Sequence, residues 1–128
     1  KKEIEDSKDT LNGVDLCYAK LMEAKLSDAN LEEADLTAAY LIRADLSGAN
    51  LSGADLTQAV LSEANLSGAD MNEAELTDTF LNGANLQGVI NLTCDQIELA
   101  NFDKDTVFPN YMTIKWSADG ICECVDDN

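Results

Sequence analysis

Four cysteines, at positions 17, 94, 122 and 124, and a carboxylate that recurs at Asp15, Asp35, Asp55 and Glu75 are the residues of this 128-residue chain whose types could do chemistry. Thiols attack as nucleophiles, ligate metals or pair as disulfides. Metal ligation fits poorly, because the chain has no His and Cys122-x-Cys124 is tighter than zinc-site spacing. A disulfide from Cys94 to either Cys122 or Cys124 is expected instead, with Cys17 left free or bridging two chains. The carboxylates stand twenty residues apart. Each either bonds nearby backbone N–H groups, as Asx side chains do in turns, or joins a weak divalent-cation site of oxygen ligands. No general base is marked beside a nucleophile, and "NGANLQG" is not a phosphate-cradling loop. Neither enzymatic activity nor a cofactor is expected.

Charge narrows the partners. The net charge is −17, from 25 acidic against 8 basic residues, and the excess is spread along the chain rather than held in a tail. A binder that works by neutralising phosphates is excluded, so nucleic acid is not an expected partner. A basic, cationic or apolar partner is. No apolar run approaches the roughly 18 residues of a membrane span. The charged opening "KKEIEDSKDT" has no leader-like apolar core, so an exported protein would be represented here by its mature part.

The elements that position these residues follow from a period of five. From Leu11 to Leu86 in steps of five there are 16 positions, 15 of them Leu and one Met71. Two residues before each stands Ala, in a series from 14 to 89 interrupted at Val14, Thr79 and Val89. On an α-helix five residues rotate the chain by about 500°, so no apolar face forms. A flat strand fails too, because the odd step between one Leu and the next Ala would flip the side chain to the other face. A turn at every repeat restores the parity, with Ala and Leu inward.

A longer period of twenty sits on the outward positions. The apolar exceptions just before Leu are Tyr40, Val60 and Phe80; Gly48, Gly68 and Gly88 share the interval, as does the carboxylate column. Five residues per side and twenty per turn describe a four-sided tube of about four coils, stacked about 4.8 Å apart and roughly 19 Å tall.

The run "ANLSGADL" and its neighbours resemble the pentapeptide-repeat family, with its pattern A-[D/N]-L-x-x, over about 80 of the 128 residues. The resemblance implies an all-β solenoid, a right-handed quadrilateral β-helix with Leu and Ala inside, and it implies little about activity. Some members are acidic rods that mimic DNA and inhibit topoisomerases, an alternative that the charge favours. The length does not, since roughly 19 Å matches only five or six base pairs of about 3.4 Å. The segment "ANFDKDTVFP" resembles the end of many exported cyanobacterial and plastid members. Together with a disulfide it places the chain in an oxidising compartment, a periplasm or a thylakoid lumen.

A solenoid needs its ends covered. Residues 1–10 are expected to form an N-terminal cap with a short helix laying Ile4 on the coil, residues 11–90 the β-helix, and residues 91–128 a C-terminal cap. In the last, Thr93 and Gln96 make a capping-box pattern, and "YMTIKWSADGICECV" reads as a hairpin turning at Asp119-Gly120 or as a loop with one helical turn. One side of the tube shows Met22, Tyr40, Ile42, Val60 and Phe80 outward, the candidate contact for a protein partner or a second copy, unless a terminal segment folds over it or the residues only stack on one another as a ladder. Glu23, Arg43 and Glu63 alternate in sign beside it, as expected of an exposed ion-pair ladder. The function these features fit is a non-enzymatic structural or protein-interaction module; weak divalent-cation binding is the other alternative.

Overall fold

In the computed structural model, which describes residues 1–120 and 122–126, the chain turns a corner every five residues for a local reason. The amide three residues beyond each inward Leu donates to that Leu's carbonyl, as from Val14 to Leu11 at 3.2 Å and from Ala49 to Leu46 at 3.0 Å. The residue two beyond each Leu is left-handed, from Arg43 at φ 56° to Gly88 at φ 72°. A positive φ at that position is what a type II turn requires. Tyr18, Glu33, Ala38 and Arg43 all adopt it, although it costs an L-residue about 1 kcal/mol or more. Pairing with the turns above and below holds them there. At Gly48 a Cβ would also meet the carboxylate of Asp28 one turn away, which would have to turn aside.

The residue just before each Leu is the straight part of a side, and it pairs in parallel with its counterpart twenty residues on. The four columns are Asp15–Asp35–Asp55–Glu75, Lys20–Tyr40–Val60–Phe80, Lys25–Asp45–Asn65–Asn85 and Asn30–Asn50–Asp70–Ile90. In a typical rung Leu16 N donates to Asp35 O at 2.7 Å while Asp35 N donates to Val14 O at 2.9 Å. Four sides of five residues make a quadrilateral β-helix whose strands have shrunk to one bridging residue each.

The leucines from Leu21 to Leu61 are 0–1% exposed, and the alanines between them are equally buried. Each such Leu contributes roughly 1.5–3 kcal/mol of transfer free energy, most of it offset by the entropy of ordering the chain. Thr79, which replaces an Ala, is also fully buried and donates its hydroxyl to Leu56 O at 2.6 Å.

Winding does not stop where the Ala-x-Leu pattern stops. Phe80 pairs with Asn101 and Asn85 with Val107, one and then two residues beyond the twenty-residue interval. The first surplus residue falls in the segment containing helix α2 (Cys94–Glu98), the second in the turn around Asp103. Leu92 and Ile97 are buried, and Phe102 and Phe108 pack on the same core. These four side chains close the end of the tube, the two phenylalanines with larger groups than the leucines below them.

Helix α1 (Lys2–Asp6) and a 3₁₀ turn (Lys8–Thr10) lie at the other end, with Ile4 packed on the core. Glu5 Oε2 accepts the Lys25 amide, and Lys8 O accepts that of Asn30 at 2.7 Å, so two sides of the first turn are covered. The C-terminal segment is an antiparallel hairpin, β1 (Met112–Trp116) with β2 (Cys122–Asp126), register Trp116↔Cys122 and Ile114↔Cys124. Gly120, at φ 85°, lies in its turn; Ile121 of the expected hairpin lies outside the described residues. Phe102 meets Phe108 and Trp116 edge-on, with ring centroids 5.2 and 5.8 Å apart.

Gln96 does the sewing at the C-terminal end. Its Oε1 accepts the Thr93 amide at 2.8 Å and Thr93 Oγ1 accepts its own amide, completing the capping box. Its Nε2 donates to Met71 O and Ala74 O, each at 2.9 Å, so a side-chain amide takes the place of the N–H another regular turn would have offered. We expect Gln96→Ala to cost about 2 kcal/mol. Gln96→Glu, which retains the box acceptor but points a carboxylate at two carbonyls, should cost at least as much. Chemical denaturation of both variants checks this; a harmless Gln96→Glu would show that the box alone matters.

Candidate functional site

Three groups of side chains stand out from the regular prism. The first is the apolar column. Tyr40, Val60 and Phe80 are vertical neighbours joined by backbone bridges, with Lys20 before them and Asn101 after. Tyr40 is 42% exposed and Phe80 40%, and Met22 beside them is 41% exposed; Val60 and Ile42 are half-buried. The N-terminal cap bonds on the sides of Lys25 and Asn30 instead, and the C-terminal aromatics cluster among themselves. The column thus remains at the surface.

Flanking charges are arranged differently from expectation. Glu23, Arg43 and Glu63 form no ion pair; among the described residues the salt bridge is Lys2–Asp6, within α1. All three sit at left-handed corner positions that project into solvent, where pairing two long side chains loses as much entropy as it gains in attraction.

The second group is the carboxylate column. Asp15, Asp35 and Asp55 each turn one oxygen onto the amide two residues on, at 3.0, 3.1 and 3.0 Å. Asn30, Asp45, Asn50 and Asp70 do the same on the other sides, so this is how an Asx residue builds each corner rather than a property of one column. Thr37 and Thr57 add a hydroxyl donor to the same oxygens at 2.6 Å. Glu75 continues the column through its bridge to Asp55.

Cys17 stands where Thr37 and Thr57 stand one and two turns on. Asp15, Cys17 and Asp35 bring a thiol and two carboxylates within 4.8 Å of one another. Hydrogen bonding to Asp35 first, and to Asp15, pushes the Cys17 thiol up to about 12. Asp35 is lowered chiefly by the Cys17 thiol, and Asp15 by the Cys17 amide. A protonated thiol is a poor nucleophile and a poor metal ligand. In a Cys122→Ser background, Cys17 should alkylate with iodoacetamide at least tenfold more slowly at mildly alkaline pH than an ordinary exposed thiol. Asp15→Asn with Asp35→Asn should restore the ordinary rate, and an already ordinary rate would refute the pinned thiol.

The third group is the covalently closed cap. Cys94, the first residue of α2, is bonded to Cys124 in β2, with Cα atoms 5.4 Å apart and a sequence separation of 30; Cys122 carries a free thiol. Cys94 and Cys124 are 8% and 9% exposed, while Cys122 is half-buried. Polar side chains complete the seal. Tyr111 Oη donates to Val89 O at 2.8 Å and accepts the Leu92 amide, and burial raises its pKa, keeping the phenol a donor. Asp103 Oδ1 accepts the Gly83 amide in place of a rung carbonyl. Burial pushes the Asp103 carboxyl up, but the amides of Gly83, Asp105 and Thr106 and the Thr106 hydroxyl together hold it below the ordinary value. Sequence reasoning missed Gln96 Nε2, Asp103 and Tyr111 as edge groups, and no local pattern marks them. It also missed the end plugs: Leu92, Ile97 and Phe102 are spaced by five, but one residue out of step with the series that ends at Leu86.

Comparison with known proteins places these features in context. The family model described as pentapeptide repeats matches in eight copies, over residues 19–58 and 49–88. Among solved structures, the chain is similar to a pentapeptide repeat protein, Rfr23, from the cyanobacterium Cyanothece 51142, with 37% identity, 67% of this chain and 61% of that chain covered, and a TM-score of 0.36. A pentapeptide repeat protein from the Arabidopsis thaliana thylakoid lumen shows 29% identity, 85% and 69% coverage and a TM-score of 0.34. HetL of Nostoc sp. strain PCC 7120, involved in heterocyst differentiation regulation, shows 27% identity, 78% and 55% coverage and a TM-score of 0.27. The chain thus spans about three fifths of the length of the first of these, 61%. No curated protein matches the sequence. No helix among the described residues is long and apolar enough to cross a membrane.

Proposed function

The chain belongs to the pentapeptide-repeat family, whose members are right-handed quadrilateral β-helices serving mostly as structural modules, and from that premise we propose that it is a non-enzymatic protein-interaction module. In this reading residues 11–90 form a rigid prism of about four coils, residues 1–10 and 91–128 are its caps, and the Tyr40–Val60–Phe80 column is the contact. The observation that carries the proposal is the stacking of Tyr40, Val60 and Phe80 on successive turns of one side, 42% exposed at Tyr40 and 40% at Phe80 with Met22 at 41% beside them; other exposed apolar side chains, such as Tyr18 and Leu99, do not belong to that column. The occupant is a cationic partner with an apolar strip. A net charge of −17 makes a second copy a poor fit for close approach and a basic partner a good one.

The Cys94–Cys124 bond supports an oxidising compartment, since such bonds persist there and are rare where thiols are kept reduced. Export to a thylakoid lumen or a periplasm is the corresponding location.

Tyr40→Ser with Phe80→Ser tests the contact, because both side chains are at the surface and their loss leaves the inward leucines in place. The expected result is a monomer by light scattering and an unchanged melting temperature, with at least tenfold weaker capture of a basic amphipathic Leu/Lys peptide. Capture by the unmodified protein should fall as salt rises. Equal capture by both proteins would remove the face from consideration, and a dimer that the double substitution dissociates would make a second copy the occupant.

A further inference from the structure

Two thiols stay outside the disulfide, and their surroundings differ. Cys17 lies within 4.8 Å of the carboxylates of Asp15 and Asp35. Cys122 precedes Cys124 by two residues on β2, and side chains two apart on a strand project from the same face, about 6.6 Å from one another along it. It therefore stands on the side of the sheet that carries the Cys94–Cys124 bond. Cys122 also lines a cleft of about 240 Å³ together with Lys115, Trp116, Ser117 and Glu123. The bonded cysteines are nearly buried, while Cys122 is half-buried on the wall of this cleft.

From this arrangement we propose that Cys122 is a thiol–disulfide exchange site, acting on the cap bond from one side and open to small thiols and disulfides through the cleft on the other. In the internal step the Cys122 thiolate attacks Cys94 Sγ. The Cys94–Cys122 bond forms, the Cys94–Cys124 bond breaks, and the Cys124 thiolate leaves and takes up a proton. One disulfide and one thiol stand on each side of the reaction, so no oxidant or reductant is consumed. In the external step a small disulfide is attacked by Cys122, giving a mixed disulfide and releasing one small thiol. The cap is then locked in its Cys94–Cys124 form. Helix α2 stays tied to β2 in either isomer, by sulfurs one strand step apart, so the hairpin can shift on the end of the tube without detaching.

The test uses the full chain and disulfide mapping by mass spectrometry after acid quench and alkylation. Incubated at alkaline pH, the oxidised protein should yield the Cys94–Cys122 peptide beside the Cys94–Cys124 peptide, and pretreatment with glutathione disulfide should suppress the former. Cys124→Ser in a glutathione redox buffer should form the Cys94–Cys122 bond, whereas Cys122→Ser should keep Cys94–Cys124 alone. A wild-type map holding only Cys94–Cys124 at every pH would overturn the proposal, as would a folded Cys124→Ser protein with both thiols alkylated. Should Cys124→Ser not fold, the wild-type map decides.

Discussion

Leu51→Lys should yield no folded protein: a flat thermal melt and a circular dichroism spectrum without the wild-type signal. Leu51 is 0% exposed in the middle of the stack, its neighbouring turns contributing Leu31 and Met71, both equally buried. An ammonium there would have no carboxylate within the tube to pair with. The carboxylates of this acidic chain are on the outward positions, and removing an unpaired charge from water costs several kcal/mol. That is a large share of the roughly 5–15 kcal/mol by which a domain is stable. A solenoid can answer by opening one turn, but each turn stacks on the next, so opening the centre exposes two apolar cross-sections. Leu51→Met should cost less than about 1.5 kcal/mol, since Met71 already occupies the equivalent position. A Leu51→Lys protein with an unchanged melt would mean that the leucines do not point inward.

Breaking the Cys94–Cys124 bond has the next largest expected effect. Closing a loop with a sequence separation of 30 restricts the unfolded chain by roughly 3.5 kcal/mol in the loop-entropy account. Cys94→Ser, or a reductant added to the wild-type protein, should therefore lower the main transition by roughly 10–15 °C if the C-terminal cap melts with the coil. The bonds from Gln96 to Met71 and Ala74, and from Tyr111 to Val89, argue that it does. A melting temperature indifferent to reductant, with all four cysteines alkylated in the unreduced protein, would show that the bond is not formed in solution and would remove the main support for an oxidising compartment.

Much of the prism was legible because its interactions are local or repeat at a fixed interval. The turn from Leu46 to Ala49 lies inside one repeat, and the twenty-residue columns follow once a corner falls every five residues. Tyr40, Val60 and Phe80 could be placed above one another without coordinates for that reason. The same logic misjudged charge: Glu23, Arg43 and Glu63 have the order of an ion-pair ladder and form none. Column order fixes which residues are neighbours, while solvent competition and side-chain entropy fix whether they pair.

The cap was legible only where it used local grammar. Thr93 and Gln96 announce the start of α2, and Asp119-Gly120 the hairpin turn. Which of Cys122 and Cys124 meets Cys94 was not, because residues two apart on a strand share a face and the choice turns on how far the hairpin slides over the tube's end. The continued winding to Phe102 and Phe108 was hidden by a change of residue type and by two surplus residues that break the count.

By itself, then, the sequence determined the repeat, the inward Ala and Leu, and the columns of the outer surface, since a bend every five residues leaves one register in which the apolar groups are all buried. Tertiary structure alone decided how the tube is closed: the partner of Cys94, the side-chain amide and carboxylate standing in for missing rungs, and the side left uncovered. Those outcomes depend on contacts between segments tens of residues apart, and no periodicity ties such segments together in advance of the fold.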